Sequence, residues 1–268
     1  MADIRVAIAG LGAIGRTLAR KLTDGIPGLI LTAVASGNRA KAQAWLDGEA
    51  IACPIVALSE FPSRADIAVE CAPADLIDEI CRPMLAAGKS VVVLSCGALL
   101  PRPELMELAR SNGGRIIVPT GALLGLDAVT AAAEGDISSV RMTTRKPPAG
   151  LKGAPYLELN GISVDGLTTA KRVFSGSARD AAAGFPANVN VAAALSLAGI
   201  GPDRTQIDIW ADPTVTRNCH SIDVEADSAR FTLSIENIPS DNPKTGRIVA
   251  LSVLATLRKL GAPLRVGT

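Results

Sequence analysis

The stretch from Arg5 to Leu22 constrains the fold most. An apolar run, Val6-Ala-Ile-Ala9, leads into Gly10-Leu11-Gly12-Ala13-Ile14-Gly15 and then into the amphipathic Arg16-Thr-Leu-Ala-Arg-Lys-Leu22. Three glycines at this spacing are weak evidence alone, but a strand before and a helix after them point to a dinucleotide-binding turn. Gly10 permits the tight turn, Gly12 lets the backbone approach a pyrophosphate, and Gly15 lets the helix pack closely on its strand. Free N–H groups at the helix start then face the phosphates. The whole turn, with Leu11, Ala13 and Ile14, is expected to line the cofactor. The alternative is a glycine turn that serves packing alone.

The segments that follow alternate in type. Strands are expected over 29–35, 67–71, 90–95 and 115–118, and helices over 39–47, 74–87 and 104–112. Such alternation implies a Rossmann-type, doubly wound parallel sheet. Apolar residues make up 48% of the 268-residue chain but aromatics only 3%, so small aliphatics must fill the core. That composition suits parallel strands covered by helices on both faces. Ligands of such sheets lie beyond the carboxyl ends of the strands, which selects Ser36 after the second strand and Ala72-Pro73 after the third. An NAD-selective site carries an acid near the end of the second strand. Here the chain reads Ala35-Ser36-Gly37-Asn38-Arg39, without one. Ser36 and Asn38 suit a neutral ribose. Arg39 suits a 2′-phosphate, or is simply a solvated helix residue. NADP is therefore expected alongside NAD.

The pattern changes in the second half. A helix is expected over 128–134, and from Ser139 the apolar residues alternate with period two. Val140 and Met142, Ile207 and Ile209, and Phe231, Leu233 and Ile235 mark the covered face of a mainly antiparallel sheet. A helix with Pro186 near its first turn and Gly199 at its end lies between these strands. The expected organisation is a dinucleotide-binding domain over 1–120, an α+β substrate domain over 121–240, and a C-terminal segment, 241–268. The helix of that last segment (248–260) would pack back on the first domain.

Within the second half stands the chain's one histidine, His220. Imidazole is the side chain whose ordinary pKa, about 6.5, puts its proton in play at neutral pH. Alternation places Asn218, His220, Ile222 and Val224 on one covered face. A polar pair there costs stability unless satisfied, so it is either a buried structural hydrogen bond or the wall of a cleft. Periodicity leaves both open. Asn242 is an expected N-cap with Pro243 in the first helical position. Lys244 then lies in the first turn, where the helix dipole disfavours a cation. It is either a candidate anion ligand or a lysine reaching into water. Arg145 and Lys146, at a strand end, carry the same ambiguity.

Net charge is +1, from dispersed residues, so no footprint for nucleic acid exists. No apolar run reaches the roughly 18 residues that suggest a membrane span. A strand-like run from Ile4 stands where a signal peptide would. The five cysteines lack ligand-like spacing, so no metal site is expected. They read as reduced thiols of a cytoplasmic protein.

The chain resembles the L-aspartate dehydrogenase family over almost its whole length. The resemblance rests on Gly10–Gly15, Thr120-Gly-Ala-Leu-Leu124-Gly-Leu-Asp127, Thr144-Arg-Lys-Pro-Pro148 and Phe185-Pro-Ala-Asn-Val-Asn190. It continues through Gly201-Pro-Asp-Arg-Thr205, Asp212-Pro213, Asn218-Cys-His220 and Asn237-Ile-Pro-Ser-Asp-Asn-Pro-Lys-Thr245. It implies oxidative deamination of L-aspartate to iminoaspartate, and thence oxaloacetate and ammonia, or the reverse, in supply of NAD biosynthesis. It also implies His220 as the catalytic residue, with cofactor contacts near Leu124 and at Asn190. On this reading Asn218 orients His220, and Arg145 and Lys244 are candidates for the substrate carboxylates. A homodimer is expected, with a small-molecule substrate as the other partner. Two rivals are a two-domain reductase of the dihydrodipicolinate or homoserine type, and a non-catalytic NAD(P)-binding sensor.

Overall fold

A computed structural model describes residues 3–186, 190–240 and 246–267. The chain divides into two compact units, Met1–Pro119 with Ala250–Arg265, and Thr120–Val249 with Val266–Thr268.

In the first unit, five strands form one parallel sheet: β1 (Ile4–Ala9), β2 (Leu29–Ala35), β3 (Ile67–Glu70), β4 (Ser90–Val93) and β5 (Arg115–Ile117). Their spatial order is β2-β1-β3-β4-β5, with parallel pairing throughout. Val6 to Ala9 are all fully buried, as a strand covered on both faces must be. Helices α1 (Ala13–Thr23), α2 (Arg39–Gly48), α3 (Phe61–Arg64), α4 (Ile77–Ala86) and α5 (Pro103–Asn112) cross between the strands. On α1 the buried residues are Gly15, Leu18, Ala19 and Leu22, the stripe that a 3.6-residue period lays against a sheet. Strand order reverses between β1 and β3, so the crevice of a doubly wound sheet opens at Ala9 and Glu70.

Two boundaries depart from the sequence pattern. Strand β4 stops at Val93, short of Ser95, because the next two amides are captured by a carboxylate: Leu94 N and Ser95 N donate to Glu70 Oε2 at 3.0 and 2.7 Å. The expected helix over 74–87 begins with a tight 3-10 turn, Ala74–Leu76, before α4.

The second unit holds β6 (Ile137–Lys146), β7 (Lys171–Ser177), β8 (Gln206–Ala211), β9 (Asn218–Ala226) and β10 (Arg230–Asn237), in the order β10-β9-β6-β8-β7. The sheet is mixed: β6 runs parallel to β8, while the other three pairings are antiparallel. Helices α6 (Leu126–Ala132), α7 (Pro155–Leu159), α8 (Ala178–Gly184) and α9 (Asn190–Ala198) belong to this unit. Pro186 lies in a turn shortly before Asn190, from which α9 is described. Tyr156, Phe174 and Phe185 pack as a cluster with ring centroids 5.1 to 5.5 Å apart, joining α7 and the loop after α8 to β7. The final helix, α10 (Ile248–Gly261), buries Val253, Leu254 and Leu257 in the core of the first unit, beside Val6, Ile8 and Leu18. Among the described residues, no helix is long and apolar enough to cross a membrane.

Candidate active site

In the first unit the turn after β1 is shaped by what its glycines exclude. Gly10 has φ +99°, and a Cβ there would overlap the Cys71 carbonyl. At Gly15 a Cβ would overlap the Gly10 carbonyl. Gly12 is the contrary case: nothing lies within 4 Å of where its Cβ would stand. It is also the N-cap of α1 and supplies no side chain to the helix's first amides. Those donors, beside Leu11, Ala13 and Ile14, thus have no side-chain cap, as an anion-binding helix start requires.

At the end of β2, Ser36 Oγ lies 3.5 Å from the Asn38 carbonyl. The Asn38 side chain accepts from Lys41 N at 2.9 Å, capping α2. Arg39 is exposed, but its Nη2 donates to the Ile55 carbonyl at 2.5 Å, which commits one edge of the guanidinium to the protein. Ala72 and Pro73 follow β3, where Cys71 N still donates to the Ala9 carbonyl at 2.8 Å. The sequence reading missed Glu70. It is fully buried and also accepts from Ser95 Oγ at 3.0 Å. Burial pushes its carboxyl up, and the bonds from Ser95, Leu94 and Ala72 oppose that. Glu70 thus ties the carboxyl ends of β3 and β4 together. An acid closing an otherwise apolar strand was the available signal.

In the second unit, polar side chains gather at one end of an apolar sheet face. Thr144 and Lys146 come from β6, Asn218 and His220 from β9, and Asn237 from β10. Cross-strand register sets Thr144 opposite His220 and Asn218 opposite Asn237. Thr144, Lys146, His220 and Asn237 are each at most 4% exposed, and Asn218 is half-buried. His220 Nδ1 lies 3.1 Å from Thr144 Oγ1. Burial first, and the Lys146 charge second, push the imidazole down from 6.5 to about 3. The ring is therefore neutral at pH 7. The Thr144 hydroxyl can accept from Nδ1–H, leaving Nε2 a base, or donate to Nδ1, leaving Nε2–H a donor. Among the described residues, Thr144 holds the ring at Nδ1. Asn237 Nδ2 donates to the Ala122 carbonyl at 2.9 Å, while its buried Oδ1 has no partner among the described residues.

Arg145 requires a correction. Its neighbours Thr144 and Lys146 point to the covered face, so alternation sends Arg145 to the opposite one, where it stands across from Cys219. There its Nη1 meets Asp212 Oδ2 at 3.1 Å and its guanidinium lies 4.8 Å from the Trp210 ring centroid. Asp212 is held below the ordinary carboxylate range by the Thr214 hydroxyl and amide, and then by Arg145. Arg145 is thus committed to a structural ion pair away from His220. Lys146 is the reverse case: a lysine reaching into water was one expectation, yet it is buried, and burial pulls its ammonium down to about 8. Leu124 lies half-buried in the turn before α6, and Asn190, also half-buried, opens α9. Lys244 and its expected N-cap Asn242 lie outside the described residues.

Comparison with known proteins finds relatives for both halves of the chain. Residues 127–260 match the family model described as aspartate dehydrogenase, C-terminal, and residues 10–119 match that of the homoserine dehydrogenase NAD-binding domain. The chain is 59% identical to L-aspartate dehydrogenase of Bradyrhizobium diazoefficiens, over 99% of this chain and 95% of that one. It is 57% identical to L-aspartate dehydrogenase 3 of Bordetella bronchiseptica, over 99% and 98%. The crystal structure of aspartate dehydrogenase from Thermotoga maritima superposes with a TM-score of 0.80 at 24% identity, covering 99% of this chain and 100% of that one. That last likeness speaks to the fold alone, whereas identity along the full length speaks to descent. The protein, with its NAD-binding domain and its His220 face, belongs to the aspartate dehydrogenase family.

Proposed function

We propose that this enzyme oxidises L-aspartate with NAD or NADP to iminoaspartate, which water converts to oxaloacetate and ammonia. The observation that carries the reading is the neutral, buried His220, set by Thr144 at the polar end of its sheet face. The reaction moves protons at each stage. The substrate amine loses them as the Cα–H bond breaks, water loses one on adding to the imine, and the departing amine regains one. His220 is the acid/base for these transfers, since a positioned imidazole both takes and returns protons. Asn218 lines the same face and contacts the substrate.

The glycine turn fits a dinucleotide. Gly12 leaves room for a pyrophosphate and the start of α1 offers amides without a side-chain cap. Leu11, Ala13 and Ile14 complete that turn, with Ser36, Arg39, Ala72 and Pro73 at the neighbouring strand ends. A nicotinamide held by this turn would supply the acceptor for the Cα hydride. Absence of an acid at 35–39 supports acceptance of NADP, with one edge of Arg39 available to a 2′-phosphate. The family resemblance adds Leu124 and Asn190 as cofactor contacts, and Lys244 as a substrate ligand. It adds further a cytoplasmic homodimer, the reverse amination of oxaloacetate, and a place in NAD biosynthesis.

The test is the rate of NADH or NADPH formation with L-aspartate, then with L-glutamate and L-homoserine. Turnover with L-aspartate under at least one cofactor, well above that with the other two, is expected. Absence of turnover with L-aspartate under both cofactors refutes the reading.

A further inference from the structure

Glu70 is a buried acid of the first unit that neither the glycine turn nor the proton chemistry uses. It closes β3 after Ile67, Ala68 and Val69, and none of it is exposed. Burying a carboxyl group costs stability unless its oxygens are bonded. Here Oε2 accepts from Leu94 N and Ser95 N, Oε1 accepts from Ser95 Oγ, and the Ala72 amide also bonds the group. One side chain thus holds two segments, the chain leaving β3 and the chain leaving β4. An apolar residue in its place would take that acceptor from three backbone amides, and unbonded buried amides are rare in folded proteins.

We propose that Glu70 is a positioning residue for the nicotinamide half of the cofactor, holding the segments after β3 and β4 as one fixed floor beneath it. This rests on the dinucleotide reading above and deepens it. Topology supplies the placement. The end of β2 serves the adenosine ribose and the start of α1 the pyrophosphate. The strand order β2-β1-β3-β4 then leaves the other half of a dinucleotide to the ends of β3 and β4. Ala72, Leu94 and Ser95 are half-buried there, while the carboxyl group that fixes them is sealed from solvent.

The adenosine side is fixed by other means. Asn38 caps α2 with its own side chain. The glycine turn is held by backbone bonds, from Gly10 N to the Ala35 carbonyl and from Cys71 N to the Ala9 carbonyl, each at 2.8 Å. Loss of the Glu70 carboxyl group should therefore loosen one half of the crevice and spare the other. A residue that merely propped up the sheet would weaken both halves together.

The test compares NAD with ADP-ribose, which lacks the nicotinamide, by calorimetry on the full chain. NADP and 2′-phospho-ADP-ribose form a second matched pair, for which the same split is expected. E70Q keeps the volume but exchanges one acceptor oxygen for an N–H donor, so Ala72, Leu94 and Ser95 can no longer all find an acceptor. Its Kd for NAD is expected to rise about tenfold, while that for ADP-ribose stays within about twofold of wild type. S95A removes the hydroxyl bond and leaves the backbone amides in place, so the same split should appear with a rise of about threefold for NAD. Tm verifies that each variant folds, and if E70Q does not, the split in S95A still decides. Equal weakening of the dinucleotide and its ADP-ribose part, or an unchanged Kd for the dinucleotide, overturns the proposal. If wild type binds both members of a pair in those cases, the Glu70 assignment alone fails. If wild type binds none of the four ligands, the dinucleotide reading fails with it.

Discussion

The glycine turn of the first unit and the histidine face of the second reach function by opposite routes. In the turn the working groups are backbone amides, and the residues are there for what they lack: no Cβ at Gly10 or Gly15, where one would strike a carbonyl, and open space at Gly12. On the sheet the working groups are side chains, drawn from three strands, and the ring and its hydroxyl partner lie 76 residues apart in sequence. A contiguous turn is specified locally, so six residues and their flanks announce it. A cross-strand cluster depends on register, and register is a property of the folded sheet.

Substitutions can break or sharpen that contrast. The largest effect is expected at Gly15. Gly15→Ala forces a Cβ onto the Gly10 carbonyl, costs about 1–3 kcal/mol of stability and lowers Tm, and cofactor binding falls with it. Gly12→Ala meets nothing within 4 Å. It should keep the wild-type Tm while weakening NAD binding, which fluorescence titration can follow. If both variants lose Tm equally, the turn is only a packing device.

The histidine face should show itself next, in acid. The folded-state imidazole sits near 3 against an ordinary value of 6.5, so the unfolded chain binds a proton that the folded one refuses. Stability is unaffected above pH 6.5 and declines as pH falls from 6.5 toward 3, by up to about 1.4 kcal/mol per pH unit. Urea melts between these limits should show this slope in wild type and a shallower one in His220→Gln. Equal slopes would mean that His220 is not desolvated.

Thr144→Val keeps the shape but leaves Nδ1 unpartnered, at a cost of roughly 1 kcal/mol. Turnover should fall severalfold with a shifted pH profile, and Thr144→Ser should restore both. Arg145→Gln should do least, because a half-exposed ion pair contributes less than about 1 kcal/mol. Its KM for L-aspartate should stay within about twofold of wild type. A large rise in KM would return Arg145 to the substrate.

These outcomes follow the same division as legibility. The doubly wound unit was readable because each βα step carries its own period and punctuation. His220 was readable as covered because β9 alternates cleanly. Arg145 and Lys146 read as one pair of cations until strand parity separated them, one to each face. Thr144 gave no local signal, since only its register opposite His220 makes it a partner. Strand β7 escaped because its pairing shifts register between Arg172 and Phe174, which interrupts the period-two pattern. Glu70 looked like the end of a strand, and its hold on β4 emerges only when the two strands lie side by side.

The central claim is that His220 carries the proton chemistry while the glycine turn independently holds the cofactor. It is tested most directly by His220→Ala, with kcat for L-aspartate and the Kd for NAD measured on the same preparation. The account predicts a fall in kcat of about 100-fold or more with the Kd for NAD unchanged. Near-normal kcat, or loss of cofactor binding in step with turnover, would contradict it.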